Sequence, residues 1–408
     1  MLAVNTEVHL GLKVASPGAE LNDLAVQGRQ LGAALSRAVI ARCLWTMQER
    51  ELGRIRVGAR ELACPGCGVV HRGRGSLLRR GRRARTVQTS SGPVRFALRQ
   101  VSCGWCRKTF CPFGSVLGLR PRQRVAEELL ERLDSGVVDL SYRKTCALGH
   151  EWLGGTVSPR TLWREVQARG RRVAFTRRRP LKVLLVDGTR VRAGTRLRGE
   201  AAVVGLQIER REPRGCRIEV RKRLIGFGVG LGAWEMVLAA GSTTPLVVTD
   251  AASGVREKVR AVCPQARHQL CEWHLTHSLK HFLTLHGVRP ARRRALAREL
   301  ALILGRRSWR AYATFQEKLR QYQNVASLLE QAAPYIMYPE PSAERTTSIA
   351  EREMREINRR TDVGVRWSVP GVRHLLRLTL AKRHNPDDYA RLWQEKRPIH
   401  WQLVPQLA

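Results

Sequence analysis

Two cysteine pairs, Cys64-x2-Cys67 and Cys103-x2-Cys106, constrain this chain more than any other feature. Each pair sets two thiols on one tight knuckle, and four thiolates satisfy a tetrahedral Zn2+ in a closed structural site. The 35 residues between the pairs exceed the usual short spacing. A β-hairpin can fill them and still bring the knuckles together. "TVQTSSGPVRFALRQVSC" reads as two short strands around a Ser-Gly-Pro turn. His71 and Cys111 are spare ligand candidates. Redox or merely buried cysteines are the alternative, against which two matched pairs argue. Such a site does no chemistry. It holds a small ribbon in shape, and "HRGRGSLLRRGRRAR" offers that ribbon's charge to phosphates.

The charge extends this reading to the whole chain. Seventy-three Lys and Arg against 34 Asp and Glu leave +39 over 408 residues. Self-repulsion on that scale opposes a compact fold unless a polyanion neutralises it. Nearly all the clustered basic residues are Arg, which grips phosphate through a planar fork. Nucleic acid is therefore the leading partner. An anionic membrane is the rival, but no polybasic segment sits beside an apolar anchor. An Arg-rich surface without a partner is the plainer alternative. Hydrophobic content of 43% makes the chain globular, with room for two or three domains. No stretch approaches the ~20 apolar residues of a membrane span, and "MLAVNTEVHLGLKV" lacks a signal-peptide core. An intracellular protein is expected, and its ten cysteines then point to metal or burial rather than disulfides.

Along the chain, residues 1–60 form an N-terminal helical segment. Leu24, Leu31, Leu35, Val39 and Cys43 mark one stripe for packing or oligomer formation. Residues 61–120 hold the cysteine ribbon. In 121–180, "LSYRKTCALGHEWLGG" reads as a helix ended by a Gly pair. "TVSPRTLWREVQARG" restarts with Ser158 as N-cap and Pro159 at the first helical position. Two helices joined by a Gly-containing turn suggest a helix-turn-helix presenting Arg160, Arg164 and Arg169, with a plain helical hairpin as the alternative. Residues 181–275 supply strands at "LKVLLVD", "AAVVGLQI", "CRIEVRKRLIGFGV" and "PLVVTD", with "ARHQLCEW" as another edge strand and a helix at "SGVREKVRAV". Residues 276–343 read as helical, and 344–408 carry a further helix, "TTSIAEREMREINRRTD", and a tail.

Two of those strands end in a lone acid, Asp187 in "LLVDGT" and Asp250 in "LVVTDAASGV". Two divalent cations about 4 Å apart can clamp the attacking and leaving oxygens of a phosphodiester displacement. Mg2+ asks for one or two carboxylates plus substrate phosphate. Acids at the tips of adjacent strands meet that need, though each Asp could simply open a turn. A third ligand should come from a helix crossing the sheet, where Glu351, Glu353 and Glu356 all lie. Ser348-x-x-Glu351 is also a capping-box pattern, which would give Glu351 a local role. Cys271, His274 and His277 share a spacing of three and could bind a second metal with Cys263, or pack together or touch DNA. Trp273 reads as core more readily than as a platform for bases.

Taken in order, these stretches resemble DDE transposases of bacterial insertion sequences, of the broad Mutator-like kind. "CPGCG…CGWCRKTFCPFGSVLGL" is similar to their zinc-ribbon region, and "LSYRKTCALGHEWLGGTVSPRTLWREV" to the helix-turn-helix-like segment. "LLVDGT" and "LVVTDAASGV" resemble the aspartate strands, and "TTSIAEREMREINRR…VGVRWS" the glutamate helix. Cys271-x2-His274 matches a Cys/His pair such proteins carry after the second Asp; the extra Cys111 departs from the ribbon pattern. The resemblance implies an α/β fold, an RNase H-like mixed sheet core interrupted by a helical insertion. It selects Glu351, followed by Arg352, as the third acid.

It also implies a catalytic set of Asp187, Asp250 and Glu351 holding two Mg2+ (or Mn2+), with structural Zn2+ on Cys64, Cys67, Cys103 and Cys106. Double-stranded DNA, as terminal inverted repeats and target, is the expected partner, with Arg160, Arg164, Arg352, Arg359 and Arg360 along its path. A homodimer or higher homo-oligomer in a bacterial cytoplasm, at the nucleoid, without membrane association, completes the expectation. The competing readings are an RNase H-like nuclease that cuts without joining, and a zinc-ribbon DNA-binding regulator or inactive transposase derivative.

Overall fold

The computed structural model describes residues 20–114, 117–214, 217–250, 254–336 and 344–393. The chain is mixed α/β and divides into two compact units, residues 1–165 and 166–408.

The first unit opens with a 36-residue helix, α1 (Leu21–Arg56). A short antiparallel pair follows, β1 (Leu62–Ala63) and β2 (Val70–His71). A long hairpin comes next, β3 (Leu77–Thr89) and β4 (Gly92–Cys103), with β5 (Thr109–Phe110) paired to the end of β4. The hairpin is longer than the sequence suggested, because the arginine run 79–85 belongs to β3 rather than to a loop. Helix α1 packs on the hairpin from Arg37 onward, where Arg37 donates to the Ser91 carbonyl at 2.9 Å. Gln48, fully buried, donates to the Ala97 carbonyl and accepts from the Arg99 amide, both at 2.9 Å, so one side chain satisfies the backbone of β4. Leu52 and Ile55 meet Leu77, Val101 and Phe113. The expected stripe is thus only partly used: Leu24 and Leu31 are exposed.

Three helices follow: α2 (Glu127–Val137), α3 (Tyr142–Leu153) and α4 (Pro159–Arg172), the last running across the unit boundary. Ser141 caps α3 by accepting from the Lys144 amide, and Gly154 ends it in a left-handed conformation. The Ser158 hydroxyl accepts from the Thr161 amide at the start of α4, as its sequence position requires.

The second unit is built on a five-stranded mixed sheet. Its strands are β6 (Leu184–Val191), β7 (Glu200–Arg214), β8 (Arg217–Val229), β9 (Leu246–Thr249) and β10 (Arg267–Leu270), in the order β10-β9-β6-β7-β8. β6, β7 and β8 are antiparallel in succession, whereas β9 runs parallel to both β6 and β10. Helices α5 (Ala233–Ala240) and α6 (Val255–Val262) cover one face, meeting Leu184, Val186, Val203 and Val247. The approach of α5 is close: a Cβ on Gly228 would lie 2.9 Å from the Ala233 backbone, so only glycine fits there.

Between β10 and the next core helix come α7 (Glu272–Leu285), α8 (Pro290–Arg306), α9 (Trp309–Lys318) and α10 (Gln323–Ala332), then a single 3-10 turn. They enclose their own core of Leu275, Leu279, Leu300, Tyr312, Phe315 and Leu329, and the buried Tyr312 hydroxyl donates to the Leu329 carbonyl at 2.7 Å. The other sheet face is covered by α11 (Ser348–Thr361) and α12 (Val369–His384), followed by short α13 (Pro386–Ala390). Ala350, Met354, Ile357, Val372 and Leu376 pack there on Leu185, Val204, Leu224 and Val248. Buried Arg223 on β8 holds α13 through a two-pronged contact with Asp387 (3.1 and 2.9 Å) and a bond to Asp388 at 3.2 Å. Among the described residues no helix is long and apolar enough to cross a membrane.

Candidate active site and metal centre

Side chains alternate across a strand, so β6 sends Leu184 and Val186 toward α5 and α6 and Leu185 toward α11. Asp187, two residues past Leu185, lies on the α11 face. β9 pairs with β6 in the register Leu184↔Val247 and Leu185↔Val248. Carried two residues on, that register sets Asp250 level with Asp187 and on the same face as Val248. Only Asp250 stands at a strand end, directly after β9; Asp187 does not end its strand as the sequence suggested, because β6 continues to Val191 in its pairing with β7. The two acids thus lie on neighbouring parallel strands beneath one helix.

That helix is tied to β6. Asn358 donates to the Thr189 hydroxyl at 3.0 Å, and Ala350, Met354 and Ile357 form its buried stripe. Glu351 flanks the stripe and is half-buried. Its two rivals are engaged elsewhere. Glu353, 2% exposed, meets Lys222 at 2.5 Å, His384 at 2.9 Å and Arg383 at 3.3 Å. Burial opposes its ionisation, yet His384 and Lys222 hold its carboxyl down at about 2. Glu356 pairs with Arg359 at 2.9 Å and Arg383 at 3.6 Å. The capping box does not form. Thr347, not Ser348, is the N-cap, and the Ser348 hydroxyl bonds Thr346 instead, at 3.0 Å.

The acids sense one another. Asp187 is 3% exposed, and burial raises its carboxyl to about 7. His274 and the Gly188 amide pull the other way, while the charges of Asp250 and Glu351 push it up further. Among the described residues the cysteine cluster is the sole set of three or more His, Cys, Asp or Glu whose ligand atoms all lie within 4.8 Å of one another, so the three acids stand wider apart than the thiols.

Cys271 and His274 adjoin the acids, and among the described residues they belong to no set of three or more closely clustered His, Cys, Asp or Glu ligand groups. Cys271, fully buried, caps α7 and accepts the Thr347 amide at 3.2 Å, and His274 Nδ1 shares a hydrogen bond of 3.2 Å with the Thr347 hydroxyl. Burial disfavours the His274 cation, but the hydrogen bond and charge of Cys271, joined by Asp187 and Asp250, raise it to about 9. Burial likewise opposes the Cys271 thiolate, and His274 and Thr347 bring the thiol below its ordinary value. His277 instead stacks on Trp273 with ring centroids 5.1 Å apart, and Cys263 lies in the core beside α5, its thiol 3.6 Å from the Leu238 carbonyl. Trp273 is 39% exposed, so the core reading of that residue is wrong. Thr189, Asn358 and Thr347 carry no motif, and the sequence reading passed over them.

The four ribbon cysteines do come together. Cys64 and Cys106 sulfurs are 3.6 Å apart, Cys67 and Cys103 3.7 Å. A tetrahedron with Zn–S near 2.3 Å has sulfur–sulfur edges of about 3.8 Å, so the donor set fits Zn2+. Amides of Gly66 and Cys106 donate to Cys64 and Cys103 at 3.3 and 3.4 Å. The Cys67 amide leads the groups that draw the Cys64 thiol down to about 6. In both knuckles the fourth residue after the first cysteine is left-handed: Gly68 (φ 73°) and Arg107 (φ 59°). His71 and Cys111 lie outside this cluster.

Of the arginines expected along a DNA path, Arg160, Arg164 and Arg352 are exposed. Arg359 is exposed but paired to Glu356, and Arg360 is half-buried, lying 5.8 Å from the Trp367 ring. Arg169 does not face outward: it is 5% exposed and stacks at 4.2 Å over Trp393.

A comparison with curated proteins returns no match. The family profile described as "Transposase, Mutator family" matches residues 70–389, which take in the strands β2 to β10, the helices α2 to α12, all of α13 but its last residue, and all three acids. A match of that extent makes the chain a member of the Mutator family of transposases.

Proposed function

We propose that this transposase cuts and joins DNA strands by a DDE mechanism, with Asp187, Asp250 and Glu351 as its catalytic acids. One observation carries the reading: Asp187 within β6 and Asp250 just past adjacent parallel β9 share one sheet face, under a helix whose Glu351, with Asp250, adds to the burial that raises the Asp187 carboxyl. Three oxygen donors of this kind suit Mg2+ or Mn2+. When bound, a pair of such ions would activate water or a DNA 3′-OH and neutralise charge building on the phosphate. The protein's part is to hold the acids on the paired strands β6 and β9. It also supplies exposed arginines for the DNA backbone. Cleavage breaks a P–O bond and leaves a 3′-OH; joining lets that 3′-OH displace another strand's 3′ oxygen at phosphorus.

The mixed sheet covered by helices on both faces, with a helical stretch inserted after the second acid, supports an RNase H-like reading of the core. Helices α3 and α4, joined by the turn 154–158, support the helix-turn-helix reading, with exposed Arg160 and Arg164 toward terminal repeats. The test uses labelled element ends and a supercoiled target. Cleavage with joining bears the proposal out; cleavage alone indicates a nuclease, and binding alone a regulator. Asp187→Asn, Asp250→Asn and Glu351→Gln should each abolish both reactions while DNA binding persists. Near-wild-type joining by any of them removes that residue from the set.

A further inference from the structure

Cys271 stands where three parts of the second unit meet. Its amide donates at 2.7 Å to the carbonyl of Thr249, the residue before Asp250. Its sulfur accepts the amide of Thr347 at 3.2 Å, and the Thr347 carbonyl accepts the amide of Glu351 at 2.9 Å. One covalent link and three hydrogen bonds therefore join Asp250 to Glu351. Thr249, Cys271 and Thr347 are all fully buried, so water cannot replace a lost partner.

The start of α11 has no side-chain cap of its own. Helix N-termini carry amides that need acceptors, and Ser, Thr, Asp or Asn nearby in sequence usually supply them. Here the acceptor is a sulfur 76 residues away. His274, one turn into α7, closes the arrangement by bonding the Thr347 hydroxyl. Beside it the Glu272 amide donates to the Arg345 carbonyl at 3.1 Å, and their side chains pair at 3.5 Å. The helix carrying the third acid is thus fixed to the strand tip carrying the second from outside, not by its own sequence.

We infer that Cys271, His274 and Thr347 are positioning residues, a buried bracket that sets Glu351 at its working separation from Asp250. This rests on the DDE reading above. The bracket acts through the fit of the carboxylates to a divalent ion. Partners behind metal-binding groups typically change metal affinity or activity roughly 10- to 100-fold when removed.

The test measures Mn2+ binding to the DNA-free full chain by electron paramagnetic resonance of the free ion, alongside the Mg2+ dependence of end cleavage. Cys271→Ala should weaken Mn2+ binding and raise the half-saturating Mg2+ by roughly 10-fold or more. Cys271→Ser, which keeps an acceptor for the Thr347 amide, should recover most of that loss. A residue that only contributes stability would move the melting temperature and leave both ion titrations unchanged. Where Cys271→Ala does not fold, Thr347→Val keeps the amide, removes the His274 partner and should weaken ion binding several-fold. Wild-type ion titrations in folded Cys271→Ala, or in Thr347→Val if it stands in, overturn the bracket, and the triad still stands if Asp187→Asn is inactive. Cleavage surviving in Asp187→Asn overturns the triad and the bracket with it.

Discussion

Asp187→Asn should stabilise the protein in Mg2+-free buffer, and by an amount that grows with pH. In the folded chain burial lifts this carboxyl from the ordinary 3.8 to about 7. Below about pH 4 both folded and unfolded chains hold the proton, and the wild type keeps the full contribution of the neutral group. Between pH 4 and 7 the native state binds a proton that the unfolded chain has released. Stability then falls by about 1.4 kcal/mol for each pH unit. Across about three units the loss is about 4 kcal/mol, complete once the pH has risen through the folded value. Asparagine does not titrate and avoids this loss. The assay is urea unfolding of both proteins at pH 4.5, 6 and 8, in buffer freed of Mg2+ by resin rather than by a chelator, so that zinc stays on its thiolates. The advantage of the variant should widen by about 3–4 kcal/mol over that range. Saturating Mg2+ at pH 8 should narrow the gap by stabilising only the wild type. A stability difference flat with pH to within about 1 kcal/mol would refute the argument that Asp187 is buried beside other acids.

Cys103→Ser should lower the bound zinc measured by atomic emission and loosen the β3–β4 hairpin, seen as faster hydrogen exchange near Val101; full zinc occupancy would point to other ligands. Arg223→Ala removes the two-pronged contact to Asp387 and one cation from buried Asp388, which keeps Arg391, and should cost about 2–3 kcal/mol in urea unfolding. A loss under about 1 kcal/mol would mean that α13 does not depend on the pair.

The parts of the fold that follow local rules were legible. Val- and Leu-rich runs gave β6 and β9, Ser158 and Pro159 marked the start of α4, and matched cysteine pairs gave the ribbon ligands. The hairpin strand β3 was harder, because its arginines find partners in α1 rather than in a periodic pattern. Arg79 pairs with Glu49 at 3.0 Å and Arg82 stacks 4.4 Å from the Trp45 ring. Charge alone could not rank Glu351, Glu353 and Glu356. What separates them is Lys222 and His384, which reach Glu353 from β8 and α12. The Cys271–Thr347 link was illegible for the same reason: sulfur as acceptor for a distant amide leaves no periodicity and no motif. Trp273 was misread because an exposed Trp looks, in sequence, like any other apolar residue on a helix.

The four helices after β10 leave the sheet at Glu272 and return at Arg345, and the amide of the one meets the carbonyl of the other. A module whose two ends are knotted at one point can grow, shrink or be exchanged at little topological expense to its host, since loop closure rises only slowly with length. Its interior, which meets the sheet through Leu270 at the end of β10, makes it an evolutionary cassette: selection can remodel the exposed faces of those helices while the sheet stays as it is.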